Sequence, residues 1–390
     1  MPSLLKTESL ALTLTLNTLS WAGLILRDDY TKTQRIIMKV YGGLVFLYLF
    51  VFTAYVQIAD LVVIWGNIDF MTETSLILFM QLAVSAKVLT LMLKSKKIME
   101  VTNEADAILN SEKKVEGQRI IASIDKNTTL FLKYYGFFVA FTIICWFMGE
   151  NTSTFFIRSK YPFNELKSPG REFAFVHQCI VVIFTGSFDF NVDIIIISLV
   201  AVCRCRLKLV ALSLRNLCLD IPMNKRNLIT SDEEKVITER LRNIISQHKR
   251  ALDAAEAIKH YLSGALLVQL MVSIVVICTT AYQLAVKKST TMQSLTMAGY
   301  LFGTSLEVFL FCYQGEFLRE SSEEIADAAY ECPWYTLTRP LKKTLLIIMT
   351  RAQRPATLTA GGFVTLDITE YMAIMKASYS FFTVLQQVSE

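Results

Sequence analysis

The chain has 390 residues, of which 53% are hydrophobic and 19% charged, with a mean hydropathy of +0.43, more apolar than an ordinary soluble domain and suited to lipid as a solvent. Its net charge of +5 comes from basic residues scattered between apolar runs, which argues against a nucleic-acid partner. Three histidines far apart, with no H-E-x-x-H, G-x-S-x-G or phosphate-cradling Gly-rich loop, leave no constellation for an enzyme and imply no cofactor.

A bilayer core is crossed by about 20 apolar residues of helix. Seven windows meet that requirement, at about 37–58, 70–93, 131–150, 173–200, 262–286, 292–315 and 362–388. The expected fold is all-α: one integral membrane domain over 1–390 with seven transmembrane helices. The first run begins near Ile36 with no A-x-A-like site before it, so the first helix is expected to stay as a span rather than be cleaved. Gly42-Gly43 within it suits a close helix contact. Cys145, Cys179, Cys203, Cys278 and Cys312 fall in or beside apolar runs, where a thiol acts as a small hydrophobe, so no disulfide framework is implied. Cys203 and Cys205 flank Arg204 as C-x-C, but no further ligand sits at metal spacing, and no metal is expected.

Orientation follows from the basic residues, which cytoplasmic loops hold in excess. Twenty-nine Lys and Arg fall before the first span and in the second-to-third, fourth-to-fifth and sixth-to-seventh connections, against six on the opposite side. This puts the N-terminus in the cytoplasm and, after seven crossings, the C-terminus outside. Asn151-Thr152-Ser153 then lies on the extracellular side as a glycosylation acceptor, whereas Asn127-Thr128-Thr129 lies on the cytoplasmic side and should stay bare.

The fourth span continues past the membrane as Cys205 to Arg215, with apolar residues at helical spacing among charges, until Ile221-Pro222 breaks it. Ser231-Asp232-Glu233-Glu234 reads as the cap and acidic first turn of another helix running toward the fifth span. Between the sixth and seventh spans, Leu337, Leu341, Leu345, Ile348 and Met349 form an apolar stripe. A basic amphipathic helix of this kind can lie on the membrane surface; the alternative, favoured because the upstream stripes also lack partners, is that segments 201–261 and 316–361 form a cytoplasmic helical anchor layer that packs subunits together. His177, near the outer end of the fourth span, is either a hydrogen-bonding partner for a ligand or, the favoured reading, a satisfied structural histidine.

The most specific stretch is C-terminal. Cys332-Pro333-Trp334-Tyr335, then Arg339 and a Leu-rich helix, then Ala360-Gly361-Gly362-Phe363, then ASYSFFTVLQQV from Ala377 to Val388, resemble in order and spacing the sixth-to-seventh region of insect odorant receptors. The resemblance covers roughly the last 70 residues by motif and the rest by topology. The sister gustatory receptors end in T-Y-five apolar-Q-F; here Ser380-Phe381 and Gln387-Val388 stand at those positions, and three of four signature residues differ.

The resemblance implies an odorant-gated, non-selective cation channel in the plasma membrane of a sensory neuron dendrite. It further implies a heterotetramer with the odorant receptor co-receptor, permeated by cations, embedded in membrane lipid and opened by a small volatile molecule. It implies a pore lined by the seventh helix, 362–388, with Val384 and Val388 as apolar gate rings and Gln387 as a polar ring; Ser380 shares their face. Asp367 and Glu370, one turn apart, are either an acidic vestibule or first-turn helix residues. The ligand site it implies lies in the outer halves of the second, third, fourth and sixth spans. Those segments supply Ile77, Met80 and Gln81; Phe138, Thr142 and Trp146; Ile180 and Phe184; and Thr296 and Tyr300. A gustatory channel is the alternative closest in mechanism. A metabotropic seven-helix receptor is the alternative from another class, opposed by the charge bias and by the lack of D-R-Y and N-P-x-x-Y motifs.

Overall fold

Two of the N-terminal helix starts follow capping chemistry. Thr31 and Gln34 form a reciprocal capping box, and the Asn67 side chain accepts from the Phe70 amide at 3.2 Å, each satisfying amides that a helix leaves without partners. The computed structural model describes residues 10–25, 30–148, 157–165, 167–219, 230–286 and 291–389. Within these, α1 is Leu10–Trp21 and α2 is Lys32–Val63, which contains a π-helical turn at Leu47–Phe52. Four long helices follow: α3 Ile68–Ser111, α4 Val115–Met148, α5 Gly170–Arg215 and α6 Ser231–Val286. Then come α7 Thr291–Glu331, the short α8 Arg339–Ala352, a two-stranded hairpin of β1 Thr359–Ala360 and β2 Val364–Thr365, and α9 Ile368–Ser389. Asn151 lies outside the described residues, as does the Ile221-Pro222 break.

Five of these, α2, α3, α4, α6 and α7, are long and apolar enough to cross a membrane by length and composition. At 44, 46, 56 and 41 residues, α3, α5, α6 and α7 exceed the roughly 20 that a bilayer requires. α5 is the central helix: from Val192 to Leu207 every side chain is buried. Sequence pattern placed the α6 cap at Ser231; the structure moves it one residue back, where the Thr230 amide donates to Glu233 Oε2 at 2.7 Å. Cys203 and Cys205 are both buried but belong to different apolar clusters, because residues two apart on a helix point to nearly opposite sides. Between them, Arg204 donates to Gln314 Oε1 at 2.6 Å and lies 4.6 Å from the Phe317 ring.

The Cys-Pro-Trp-Tyr motif is a reversal device. Pro333 cannot extend α7, and a 3-10 turn at Trp334–Thr336 swings the chain into α8, which starts with Pro340 in its first turn. Leu337, Leu341, Leu345 and Ile348 are all buried within the chain's own core, so that stripe needs no second subunit; Leu346 and Ile347 face outward instead. Burial pushes the Cys332 thiol up to about 11. Alkylation by a maleimide reagent at pH 8 is expected to be slowed about a hundredfold relative to an ordinary thiol, since only the thiolate reacts. Mass spectrometry of the native and the unfolded receptor checks this: comparable labelling in both would refute the burial argument.

The hairpin anchors the start of α9. Gly361 and Gly362 adopt φ of 63° and 83°, the left-handed region that this tight turn requires. The Gly361 amide donates to Ser263 O of α6 at 2.9 Å, and the Leu366 amide to Leu358 O at 2.9 Å. Gly315 of α7 has no side chain where the Leu366 carbonyl comes in against it. Gly42 serves α1 in the same way, lying backbone to backbone on Gly23, whereas Gly43 faces open space.

Candidate functional site

Four helices, α3, α4, α5 and α7, enclose a cavity of about 120 Å³. Its walls are aromatic and aliphatic. Trp146 and Tyr300 meet edge to face with ring centroids 5.3 Å apart, and Phe138 packs on Phe302 at 4.5 Å, both within the range of favourable aromatic pairs. Glycine at 299 makes room for the Thr142 hydroxyl, which donates to the Phe138 carbonyl at 2.8 Å and so is committed to its own helix. Thr185 offers a hydroxyl on the α5 side that has no partner among the described residues.

Of the residues expected here from the sequence, Ile77, Met80, Gln81, Phe138, Thr142, Trp146 and Tyr300 line this cavity. Gln81 is partly spent: its amide donates to the Leu49 carbonyl within the π turn of α2, where the regular helical ladder is interrupted. Ile180 and Phe184 do not line it. They face a second, apolar cavity with Trp21, Tyr41 and Tyr48, because the inward face of α5 carries Val181, Thr185 and Asp189, one residue out of phase. Thr296 is buried but lines neither cavity. His177 is structural: Tyr161 OH lies 2.9 Å from Nδ1, Thr53 Oγ1 lies 3.4 Å from Nε2, and Tyr48 and Phe52 pack edge-on against the ring.

At the floor of the cavity sits a charged cluster. The Lys87 ammonium is completely buried and donates to Asp193 Oδ1 at 2.8 Å and to Glu307 Oε1 at 2.7 Å, with a third contact to Asp189 Oδ1. Tyr135 OH donates to the other Asp193 oxygen at 2.8 Å. The three carboxylates approach at a spacing a metal ion could use, but the ammonium already occupies the point where they converge. Asp189 and Glu307 line the cavity. These residues were missed as site residues, although four ionisable side chains inside apolar windows were a readable signal.

On α9, Ile374 and Ser378 face inward, while Ser380, Val384 and Gln387 are exposed on the opposite side of the helix, Val384 at 55%. The side chain of Val388 lies outside the described residues. Asp367 caps α9, its Oδ1 accepting from the Glu370 amide at 2.8 Å, which gives it a first-turn role.

The family model described as 7tm Odorant receptor matches residues 67–379. The chain is 28% identical over 162 residues to the odorant receptor coreceptor of Aedes aegypti, covering 42% of this chain and 34% of that one. It is 30% identical over 160 residues to odorant receptor 10 of Aedes albopictus, covering 41% and 42%. These matches thus span less than half the length of either relative. Among solved structures, the insect olfactory receptor OR5 from Machilis hrabei in complex with eugenol superposes with a TM-score of 0.79 over 96% of this chain and 97% of that one, at 20% identity.

Proposed function

This chain belongs to the 7tm odorant receptor family, a multi-pass membrane receptor of olfaction and not an enzyme, and from that premise we propose that it is the odorant-binding subunit of a cation channel. The single observation that carries the reading is the cavity between α3, α4, α5 and α7, with aromatic walls and few polar anchors, as small-molecule sites generally have. The receptor of the same fold from Machilis hrabei was solved with eugenol, a small aromatic molecule, which supports an odorant as occupant here.

The remaining parts of the reading belong to it as proposals. The positive-inside bias places the N-terminus in the cytoplasm and the C-terminus outside, in the plasma membrane; Asn151 is then a glycan acceptor on the outer side. The helical extensions at 201–261 and 316–361 form the cytoplasmic anchor layer, in which outward Leu346 and Ile347 are available to a neighbouring subunit. The partner is the co-receptor, in a tetramer. α9 lines the pore, since Ser380, Val384 and Gln387 point away from the chain's own core. Val384 and Val388 then form apolar constrictions that close by dewetting, with Gln387 a polar ring for hydrated cations.

The test is whole-cell current in cells expressing this chain with and without the co-receptor, under volatile aromatic compounds and with G-protein signalling blocked. Rapid non-selective cation current only on co-expression is the expected result. Second-messenger signals with no direct current from surface-expressed receptor would overturn it. In the conducting complex, Gln387→Ala is expected to shift the reversal potential under mixed sodium and calcium gradients while leaving the half-maximal odorant concentration unchanged. A shift in odorant sensitivity alone would remove Gln387 from the pore.

A further inference from the structure

The floor of the cavity is chemically unlike its walls. Three carboxylates, Asp189, Asp193 and Glu307, surround one ammonium, Lys87. Fully ionised, the cluster is short of two positive charges, in surroundings where an unbalanced charge is costly. The ammonium donates to Asp193 and Glu307, whereas Asp189 is held only as an ion pair, its Oδ1 without a hydrogen-bond donor among the described residues. The second oxygen of Asp193 is taken by Tyr135. No donor among the described residues reaches the second oxygens of Asp189 and Glu307, and these are the two acids that line the cavity. The acceptor surplus and the charge deficit therefore both open onto the ligand space.

We propose that the cavity takes an organic amine in its protonated form, the ammonium held by Asp189 and Glu307 and the apolar body lying against Trp146, Tyr300 and Phe138. A protonated amine brings what the cluster lacks, a positive charge and N–H donors, and charge-assisted hydrogen bonds of this type are the strong ones. An alcohol of the same skeleton offers one donor and no charge. A metal ion is a poorer fit, because Lys87 stands where it would sit. The inference rests on the cavity being the odorant site, and it names the ligand class of that site.

The experiment compares 2-phenylethylamine, 2-phenylethanol and ethylbenzene. Binding to the full chain in lipid nanodiscs is followed by quenching of Trp146 fluorescence, with Trp146→Phe identifying that signal, and currents are recorded in parallel from co-expressing cells. The amine is expected to bind at least about tenfold more tightly than the alcohol. Asp189→Asn is expected to abolish that preference while still binding the alcohol. Equal affinity of amine and alcohol in the unmodified receptor would overturn the proposal, because the charge is then balanced by protons on the carboxylates. That comparison needs no variant and stands even if Asp189→Asn fails to reach the membrane; Glu307→Gln gives a second reading. Selective amine binding without current would leave this inference in place and sink the channel reading. Currents from all three compounds alike would do the reverse.

Discussion

Replacement of Lys87 by methionine is expected to cost about 3 to 5 kcal/mol and to remove the receptor from the cell surface. That range is what loss of one partner costs in a buried ion pair, and here the lost partner serves three acids on two helices, Asp189 and Asp193 on α5 and Glu307 on α7. Methionine matches the length of the lysine stem but leaves the carboxylates facing one another in an apolar core. Since whole domains are stable by only about 5 to 15 kcal/mol, a loss of that size leaves little margin. Combining Lys87→Met with Asp193→Asn and Glu307→Gln is expected to recover part of the loss, because two of the stranded charges go with it. Thermal unfolding of detergent-solubilised receptor and surface labelling measure both steps. A single variant with unchanged melting temperature would show that the cluster is not what holds α3, α5 and α7 together.

The second large effect is expected at Gly303, which lines the cavity and where an added Cβ meets nothing within 4 Å. Gly303→Leu places its side chain in the ligand's space without forcing α7 away from a neighbour. Overpacking costs typically about 1 to 3 kcal/mol, so odorant sensitivity is expected to fall by about ten- to a hundredfold while surface expression stays at the level of the unmodified chain. Gly299 is the contrasting position. A Cβ there runs into the Thr142 hydroxyl, and Gly299→Ala is expected to displace α4 and lower expression along with response. Dose-response curves normalised to surface receptor separate the two. Undiminished sensitivity in Gly303→Leu would place the odorant elsewhere.

Hydropathy made the all-α class and the apolar windows legible, since lipid leaves backbone amides no partner outside a helix. It was weakest on α5. A helix buried along most of its length carries no polar face to set its rotation, so Ile180 and Phe184 were assigned to a cavity that the adjacent Val181 and Thr185 line. The α8 stripe was read as needing a partner subunit because sequence periodicity shows that a face is apolar but not what covers it; here α7 and the core do. Lys87 stands 106 residues from Asp193 and 220 from Glu307. Each was visible as a charge in an apolar run, but no local pattern says that such distant charges meet. Asp367 was evenly poised between vestibule and cap, and one hydrogen bond to the Glu370 amide favours the cap.

The docking of the hairpin has a mechanical consequence for α9. Its first half is held, through Gly361 on Ser263 of α6, through Leu366 against Gly315 of α7 and by the buried Ile374 and Ser378, whereas Ser380, Val384 and Gln387 lie exposed beyond it. A rod held at one end moves as a lever. Beyond Ser378 the helix runs on to Ser389, roughly 16 Å at about 1.5 Å per residue, and a tilt of about 5° of that stretch carries the far tip by about 1.4 Å. If α9 lines the pore, small angular changes passed on by α6 and α7 are magnified with distance from the fulcrum. The widest excursion then falls at the last turns, around Val384 and Gln387, and the smallest at Asp367.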